Sequence, residues 1–388
     1  MSINRLYTIF LTATLFVMML VTACASSDDS AASAASAASA AAETPPLSFS
    51  IQTDGGSTRG SYISSILATT EQFRVYATQE MNHNGTEEAL IANDIVAYDD
   101  GLNLWVPQTP TIWPNSSYNV AFYAVWPTTA PQTADILTSK VITYDGTTHQ
   151  IDGNTDLLWA KLETQLANTR PKGTANLVFH HAMTRVAFEG KLSPDAEQAG
   201  YTIGVSSITV CNINSAGSLD LAGGTFTPAA PAVLKNYDMV MADDDPIVLT
   251  ADLQPLTSAD DVTMMMPQVL APWAPATERI NDTDDNPDAL TAGKTVTTNG
   301  YLRIVCYVSD ANGNEIMGTP ASPKTVYVPF CPDPSDPTAA WIPGKNYRYT
   351  ISFGYGYDAQ GRRSVYPITV SVSIEAWTPA DPVSDIAS

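Results

Sequence analysis

Basic residues are scarce in this 388-residue chain. It has 18 Lys and Arg against 40 Asp and Glu, and its formal net charge is −22. Nucleic acid phosphates and anionic lipid surfaces repel such a chain, so we expect no nucleic acid partner. Long helical patterns are also missing, whereas the 27 prolines and 22 glycines are frequent enough to interrupt helices. The composition therefore favours an all-β protein.

Catalytic and metal-binding patterns are missing as well. The sequence contains no G-x-S-x-G, H-E-x-x-H or G-x₄-G-K-[S/T] motif. The adjacent His180 and His181 lie in a strand-like run, where neighbours point to opposite faces, so they cannot both ligate one metal ion. An Asp-rich stretch at 281–288 lacks the glycine and glutamate of an EF-hand loop, because Pro287 and Gly293 stand at those positions. We expect no enzyme, no catalytic residue, no metal and no cofactor.

Cysteine is rare, and the four cysteines are far apart. Cys24 belongs to the leader described below, and Cys211, Cys306 and Cys331 remain. No two of these three have the close spacing of a zinc site. An odd number permits at most one disulfide, whose pairing the sequence leaves open. Because Cys211 and Cys306 stand inside strand-like runs, we expect buried apolar thiols there.

The N-terminal apolar run, residues 6–21, follows Arg5. It is too short and too threonine-rich for a membrane-spanning helix, which takes about 20 apolar residues. It is typical of a secretion signal, so residues 1–23 are predicted to be a signal peptide. Small residues up to Ala23 lead directly to Cys24, which resembles the lipobox of bacterial lipoproteins. The resemblance implies cleavage between Ala23 and Cys24 and acylation of the cysteine, and two or more acyl chains form a stable anchor. The alternative is an ordinary secreted protein with a chance cysteine.

Composition divides the rest of the chain into three parts. Residues 24–44 are dominated by a Ser/Ala repeat without an apolar face and are predicted to be a flexible tether. The remainder is long enough for about two domains. Turn-forming residues at 165–175 indicate the boundary. The predicted domains are residues 45–173 and 174–388.

Alternating apolar and polar residues predict short β-strands in both domains. The clearest N-terminal examples are residues 47–51, 73–77 and 118–126, and one long or bent strand is expected over residues 177–188. The other predicted strands are residues 102–106, 203–211, 247–250, 264–266, 302–308, 325–330, 347–353 and 368–376. Many short strands separated by proline and glycine turns predict tandem β-sandwiches.

A local pattern in each predicted domain favours two halves of common architecture. In residues 113–122 and again in residues 341–351, Trp and Pro shortly precede a Tyr that opens an alternating strand. Proline suits the start of a strand, where no N–H is needed, and tyrosine suits its end.

Together these features resemble the fimbrillin family, the type V pilins and their accessory subunits. The matching motifs are the lipobox at Cys24 and residues 47–51, 58–60, 73–77, 118–126, 181–188, 341–351 and 368–377. The resemblance implies two transthyretin-like β-sandwich domains in tandem. It also implies a lipoprotein precursor that reaches the outer membrane and is cut at the surface after an arginine. The matching arginine is Arg59, so cleavage between Arg59 and Gly60 is predicted.

Cleavage there would free residues 47–51 and leave a groove lined by unpaired edge groups. A strand of the next subunit could fill this groove by β-augmentation. In the family the donor is the C-terminal segment. Residues 368–376 have the required alternation, whereas the tail 378–388 offers only Val383 and Ile386 as apolar anchors. The identity of the donor strand stays open.

The resulting prediction is a non-enzymatic fimbrial subunit that assembles with other subunits by strand exchange and mediates adhesion. It would be lipid-anchored in the outer membrane at the cell surface and enter the fimbrium after processing. The alternative is an uncut outer-membrane lipoprotein that anchors the fimbria or binds a host protein or glycan. In a glycan-binding protein, exposed tryptophan rings would stack on sugars. If the protein does not bind glycans in this way, the same rings are expected to pack in the core. The candidate rings are Trp113, Trp126, Trp273 and Trp341.

Overall fold

The computed structural model describes most of the chain between residues 46 and 376. The described residues are 46–53, 67–81, 84–114, 118–132, 135–165, 174–241, 245–257, 263–281, 293–357 and 363–376. All of them belong to one unit, residues 44–388. The predicted signal peptide and tether, with Ala23 and Cys24, lie outside the described residues, as do Arg59 and Gly60.

The described residues lie mainly in β-strands, which confirms the predicted all-β fold. The first eight strands are β1 Ser48–Thr53, β2 Gln72–Met81, β3 Glu87–Asp99, β4 Leu104–Pro107, β5 Tyr118–Trp126, β6 Val141–Tyr144, β7 Leu158–Gln165 and β8 Thr174–His181. The later strands are β9 Thr184–Lys191, β10 Thr202–Asn214, β11 Gly217–Asp220, β12 Thr225–Pro228, β13 Leu234–Met241, β14 Ile247–Val248, β15 Gln254–Pro255, β16 Thr263–Met265, β17 Glu278–Arg279, β18 Thr295–Val296, β19 Tyr301–Ser309, β20 Glu315–Met317, β21 Lys324–Pro329, β22 Lys345–Tyr357 and β23 Arg363–Ala376. Two short helices are α1 Ile136–Ser139 and α2 Pro194–Gln198. Among the described residues, no helix has the length and apolar character needed to cross a membrane.

The first sheet closes on itself in the order β1-β4-β3-β2-β5-β7-β8. Side chains alternate across each strand, so every second residue points inside. Phe73 and Val75 of β2 and Val120 and Phe122 of β5 are at most 1% exposed and form one core with Phe49 of β1. The closing pair is β1 with β8, which run parallel. This confirms the prediction that residues 47–51 contribute a strand to the N-terminal sheet.

The second sheet has the strand order β13-β10-β19-β21-β22-β9-β15. Strands β14, β16, β20 and β23 pair beside this path. β9 and β22 run parallel, whereas β22 and β23 form an antiparallel hairpin. The inward faces of β9, β10, β19 and β22 build the core, with Val186, Ile208, Ile304 and Ile351 at 0% exposure.

A small third sheet joins the two halves of the chain. β6, which follows the first five strands, pairs with β11, and β11 pairs with β12. Ile142 of β6 and Leu219 of β11 lie in a third core together with residues from the outside of the first sheet. Gly224 has φ +68°, and a Cβ atom there would overlap the Trp159 ring of β7. Only glycine permits this close approach.

The chain passes from the first sheet to the second at Ala182 and Met183, which are 0% and 1% exposed. β8 pairs with β1 and β7, whereas β9 pairs with β22. Residues 177–188, predicted as one long or bent strand, are therefore two strands in different sheets. The predicted domain boundary at 173/174 lies one strand before this change of sheet.

Candidate functional site: the first and last strands

β1 is fixed in the closed sheet by both of its edges. The whole strand pairs in parallel with β8. On the other edge, Phe49 pairs with Trp105 of β4. Just before the strand, the Leu47 N–H donates to the Thr111 carbonyl at 2.8 Å. These contacts fix both the direction and the register of β1.

The apolar side chains of β1 enter the core of the first sheet. Leu47 and Phe49 are 2% and 0% exposed, and Ile51 is half-buried. The Phe49 ring meets Phe73 and Phe122 edge to face, with ring centroids 6.1 and 5.6 Å apart. Offset and edge-to-face aromatic pairs add to the free energy of apolar burial. The centre of β1 is therefore its strongest attachment.

The serines between these apolar residues contact β8. The hydroxyls of Ser48 and Thr174 lie 3.0 Å apart, and the Ser50 hydroxyl donates to Asn176 Oδ1 at 3.2 Å. Because side chains alternate, these serines occupy the face opposite to Phe49. A strand that replaced β1 would meet an apolar cavity on one face and small polar groups on the other.

Residues 54–66 connect β1 to the rest of the first sheet. β1 ends at Thr53, and the described chain resumes at Leu67, which is 2% exposed. Arg59 and Gly60 belong to this connection, which lies outside the described residues. A single cut in it would leave β1 attached only by noncovalent contacts.

β23 forms an edge of the second sheet. Within the described residues it pairs with β22 and with no other strand. Ile368 is buried, Val370 and Val372 pack partly against the second core, and Ile374 is 46% exposed. Edge strands present N–H and C=O groups to which another strand can add.

β1 and β23 share a five-residue pattern. Residues 47–51 read Leu-Ser-Phe-Ser-Ile, and residues 370–374 read Val-Ser-Val-Ser-Ile. In both strands the serines lie on one face and the apolar residues on the other. The main difference is at the centre, where Val372 corresponds to Phe49.

The four candidate tryptophans do not form a sugar-binding platform. Trp113, Trp273 and Trp341 are 4%, 1% and 1% exposed. Trp126 is half-buried, and its indole N–H donates to Glu71 Oε2 at 3.2 Å. The glycan-platform hypothesis is therefore wrong, because three of the four rings are enclosed by the protein.

The three cysteines of the described residues are buried. Cys211, Cys306 and Cys331 are free thiols and are buried, which confirms the expectation for the first two. Burial raises the pKa of the Cys306 thiol to about 12, so it stays protonated at neutral pH. In the described part of the chain, no three or more potential metal ligands come together.

Three solved structures resemble this chain over most of its length. A fimbrial protein from Bacteroides vulgatus superposes with a TM-score of 0.52 at 13% identity, covering 86% of this chain and 100% of that one. A proposed cell adhesion protein from Parabacteroides distasonis gives 0.46 at 11% identity, covering 87% and 99%. A fimbrial assembly protein from the same species gives 0.35 at 11% identity, covering 84% and 98%. A comparison with curated proteins gives no match.

The likeness to the Bacteroides vulgatus structure places this chain in the fold class of fimbrial proteins. The fimbrillin-like family model matches residues 58–377. Because this match spans most of the sequence, the chain belongs to the fimbrillin-like family. Family membership supports a structural role in a cell-surface fimbrium.

Proposed function

We propose that this protein is a fimbrial subunit that joins its neighbours by exchanging β1 for a strand of another subunit, and that it mediates adhesion at the cell surface. The chain is cut between Ala23 and Cys24, acylated on Cys24 and held in the outer membrane. A surface protease then cuts between Arg59 and Gly60.

The observation that carries this proposal is the position of β1. It completes the first core, yet covalently it depends on the single connection 54–66. Loss of β1 would uncover the edges of β4 and β8 and the cavity around Phe49. A polypeptide strand is the ligand that fits such a groove, because it supplies backbone partners and alternating side chains together.

The strength of this attachment determines how β1 can leave. Leu47 and Phe49 each contribute about 1.5–3 kcal/mol by burial, and ladder hydrogen bonds contribute about 1 kcal/mol each. Over the six residues of β1 the total is on the order of 10 kcal/mol. Ordering these residues costs about 1–2 kcal/mol each, so the net attachment of β1 is much smaller than this gross figure. An incoming strand that displaces β1 one ladder position after another never uncovers the whole groove at once, and we expect exchange to follow this route.

β23 is the donor that the shared pattern favours. Its serines would meet the same polar partners on β8, and its apolar residues would enter the core. Val372 would fill only part of the Phe49 cavity, which costs about 1–3 kcal/mol. Exchange between copies of this chain is therefore weaker than retention of β1. A partner subunit with an aromatic residue at the matching position would bind more tightly.

Because Val372 is smaller than the Phe49 that it would replace, a second candidate is also favoured, the uncut lipoprotein anchor. An uncut chain keeps β1 in place and its groove closed. It can then only donate β23, so it would occupy the membrane end of a fibre. The two candidates differ in their mature N-terminus.

N-terminal sequencing of shed surface fibres and of the membrane fraction tests the proposal. We expect fibre subunits to begin at Gly60 and the membrane form to begin at acylated Cys24. The uncut anchor predicts Cys24 in every fraction. Fibres built from subunits that begin at Cys24 would contradict the cleavage step.

Peptide binding tests the exchange itself. The chain is cut within residues 54–66, and labelled peptides 44–53 and 366–376 are added. We expect both to bind, the second more weakly. Matched peptides with Phe49→Ser or Val372→Ser are controls that keep length and charge. Equal binding of the serine variants would show that the apolar cavity is not the binding site.

A further inference from the structure

We propose that the fold contains a continuous path for mechanical load, β1–β8–β9–β22, in which tension acts by shear on two parallel strand pairs. The inference rests on the proposed function, since only a subunit linked in a fibre is stretched, and there the neighbour's strand takes the place of β1 beside β8. The mechanical property itself belongs to the single folded chain and can be measured there.

The first parallel pair is β1 with β8. Ser48 lies opposite Thr174, and Thr53 lies opposite Phe179, so the two strands start together and β8 continues for two residues beyond the end of β1. A force applied at the N-terminal end of β1 is transmitted to β8 and leaves β8 at its C-terminal end, through His181. The two points of load therefore lie at opposite ends of the ladder. All of its hydrogen bonds then resist sliding at once.

The junction between the two sheets is short and enclosed. Ala182 donates its N–H to the Leu157 carbonyl at 2.8 Å, and the Met183 carbonyl accepts from Gly344 N at 2.9 Å. His181 Nδ1 lies 2.6 Å from Asp156 Oδ2 in a largely buried pair. Because these contacts hold the short junction in place, force on β8 passes directly into β9 along the backbone.

The second parallel pair is β9 with β22. Arg185 lies opposite Asn346 and Lys191 opposite Ser352, again with the strands in the same direction. Load enters β9 at its N-terminal end. If β23 leaves to join a neighbour, load leaves β22 at its C-terminal end, Tyr357. The points of load are once more at opposite ends of the ladder.

A pull on the C-terminal end of β23 has a different geometry, in which the strands are peeled apart. Ala376 at the end of β23 lies opposite Lys345 at the start of β22. A pull on this end acts on the same end of the sheet at which β9 receives its load. Hydrogen bonds then break one after another, and each break needs little force. The fold therefore resists tension between β1 and the β22–β23 hairpin tip more strongly than tension between β1 and the C-terminus.

Optical-tweezers measurements on the folded chain test this difference. One attachment precedes residue 44, and the other lies either in the hairpin loop 358–362 or after residue 388. We expect the rupture force to be several-fold higher with the hairpin attachment. Both tagged chains must first show the denaturation midpoint of the untagged chain. Equal rupture forces in the two geometries would overturn the inference.

A matched pair of variants tests the path. Val186 on β9 and Val210 on β10 are both 0% exposed, and only the first lies on the path. Val186→Ala and Val210→Ala remove the same atoms, so both should lower the equilibrium stability. We expect only V186A to lower the rupture force with the hairpin attachment. Equal losses of force would refute the path. A chain that resists shear but never polymerises would refute the proposed function and leave this inference standing.

Discussion

Replacing Phe49 by alanine should weaken the attachment of β1 more than any other single change in that strand. The ring is 0% exposed and touches Phe73 and Phe122 edge to face. Truncation of a buried phenylalanine costs about 3–5 kcal/mol, from lost transfer free energy and from the cavity that remains. Ser50→Ala is the matched control, because this serine has a single exposed contact with Asn176. Exposed substitutions of this kind usually change stability by about 0.5 kcal/mol or less.

Two measurements report this loss. In the uncut chain, F49A should lower the free energy of unfolding of the first sheet by about 3–5 kcal/mol in chemical denaturation. In the chain cut within residues 54–66, peptide 44–53 with F49A should bind roughly 10²–10³-fold more weakly than the native peptide. A loss below about 1 kcal/mol in both assays would contradict the proposed role of the aromatic centre. A large loss for S50A would place the main attachment on the polar face instead.

Three further predictions concern the donor strand, the joint between the sheets and one surface carboxylate. Val372→Phe fills the aromatic cavity, so peptide 366–376 with V372F should bind the cut chain about tenfold more tightly, which corresponds to about 1.4 kcal/mol. Unchanged binding would contradict the assignment of β23 as the donor strand. Gly224→Ala places a methyl group against the Trp159 ring at a residue with φ +68°. Chemical denaturation should therefore show a free energy of unfolding lower by about 2–4 kcal/mol. A loss under about 0.5 kcal/mol would show that the contact between residue 224 and Trp159 relaxes to accept the methyl group. Hydrogen bonds from the His149 N–H and its neighbours lower the pKa of Asp145 from 3.8 to about 2. The folded pKa lies below the unfolded value, so this loop is stabilised above about pH 4 and loses the contribution as pH falls through about 2; an NMR titration midpoint near 3.8 would contradict this.

Strong local patterns were sufficient to predict several strands. β5 was predicted with its observed bounds, because a continuous apolar run ends at Pro127. β1 and β23 were also found from their alternation, and β19 was predicted over residues 302–308. β3 was missed. It begins with two glutamates and contains Asn93 and Asp94, and β-bulges against β2 break its alternation. Local patterning cannot show a strand whose polar residues are accommodated by irregular pairing.

Features that depend on the three-dimensional arrangement were not predictable. Nothing in the sequence marks Ala182 and Met183 as the change of sheet, because neither is a turn-forming residue. The burial of Trp273 depends on packing against Tyr301, 6.2 Å away between ring centroids. The pattern shared by residues 47–51 and 370–374 was visible in the sequence. Its significance depends on the structure, in which β1 completes a core and β23 forms an edge.

The repeated Trp-Pro-Tyr pattern reflects similar local packing in different positions. Trp113 packs edge to face on Phe122 of β5, and the Trp341 indole N–H donates to the Tyr349 hydroxyl of β22 at 2.8 Å. β5 is antiparallel to both of its neighbours, whereas β22 is parallel to β9. The two strands that follow the pattern therefore have different neighbours, and the expectation of two halves with a common architecture stays a prediction.

The closed first sheet has a consequence for the timing of assembly. In the uncut chain β1 occupies the place between β4 and β8, so we expect no foreign strand to add at that position. Under the proposed function, the segment that is exchanged would thus block assembly until the chain is cut. The start of fibre growth would then depend on the protease that cuts this segment free, before the amount of subunit has any effect.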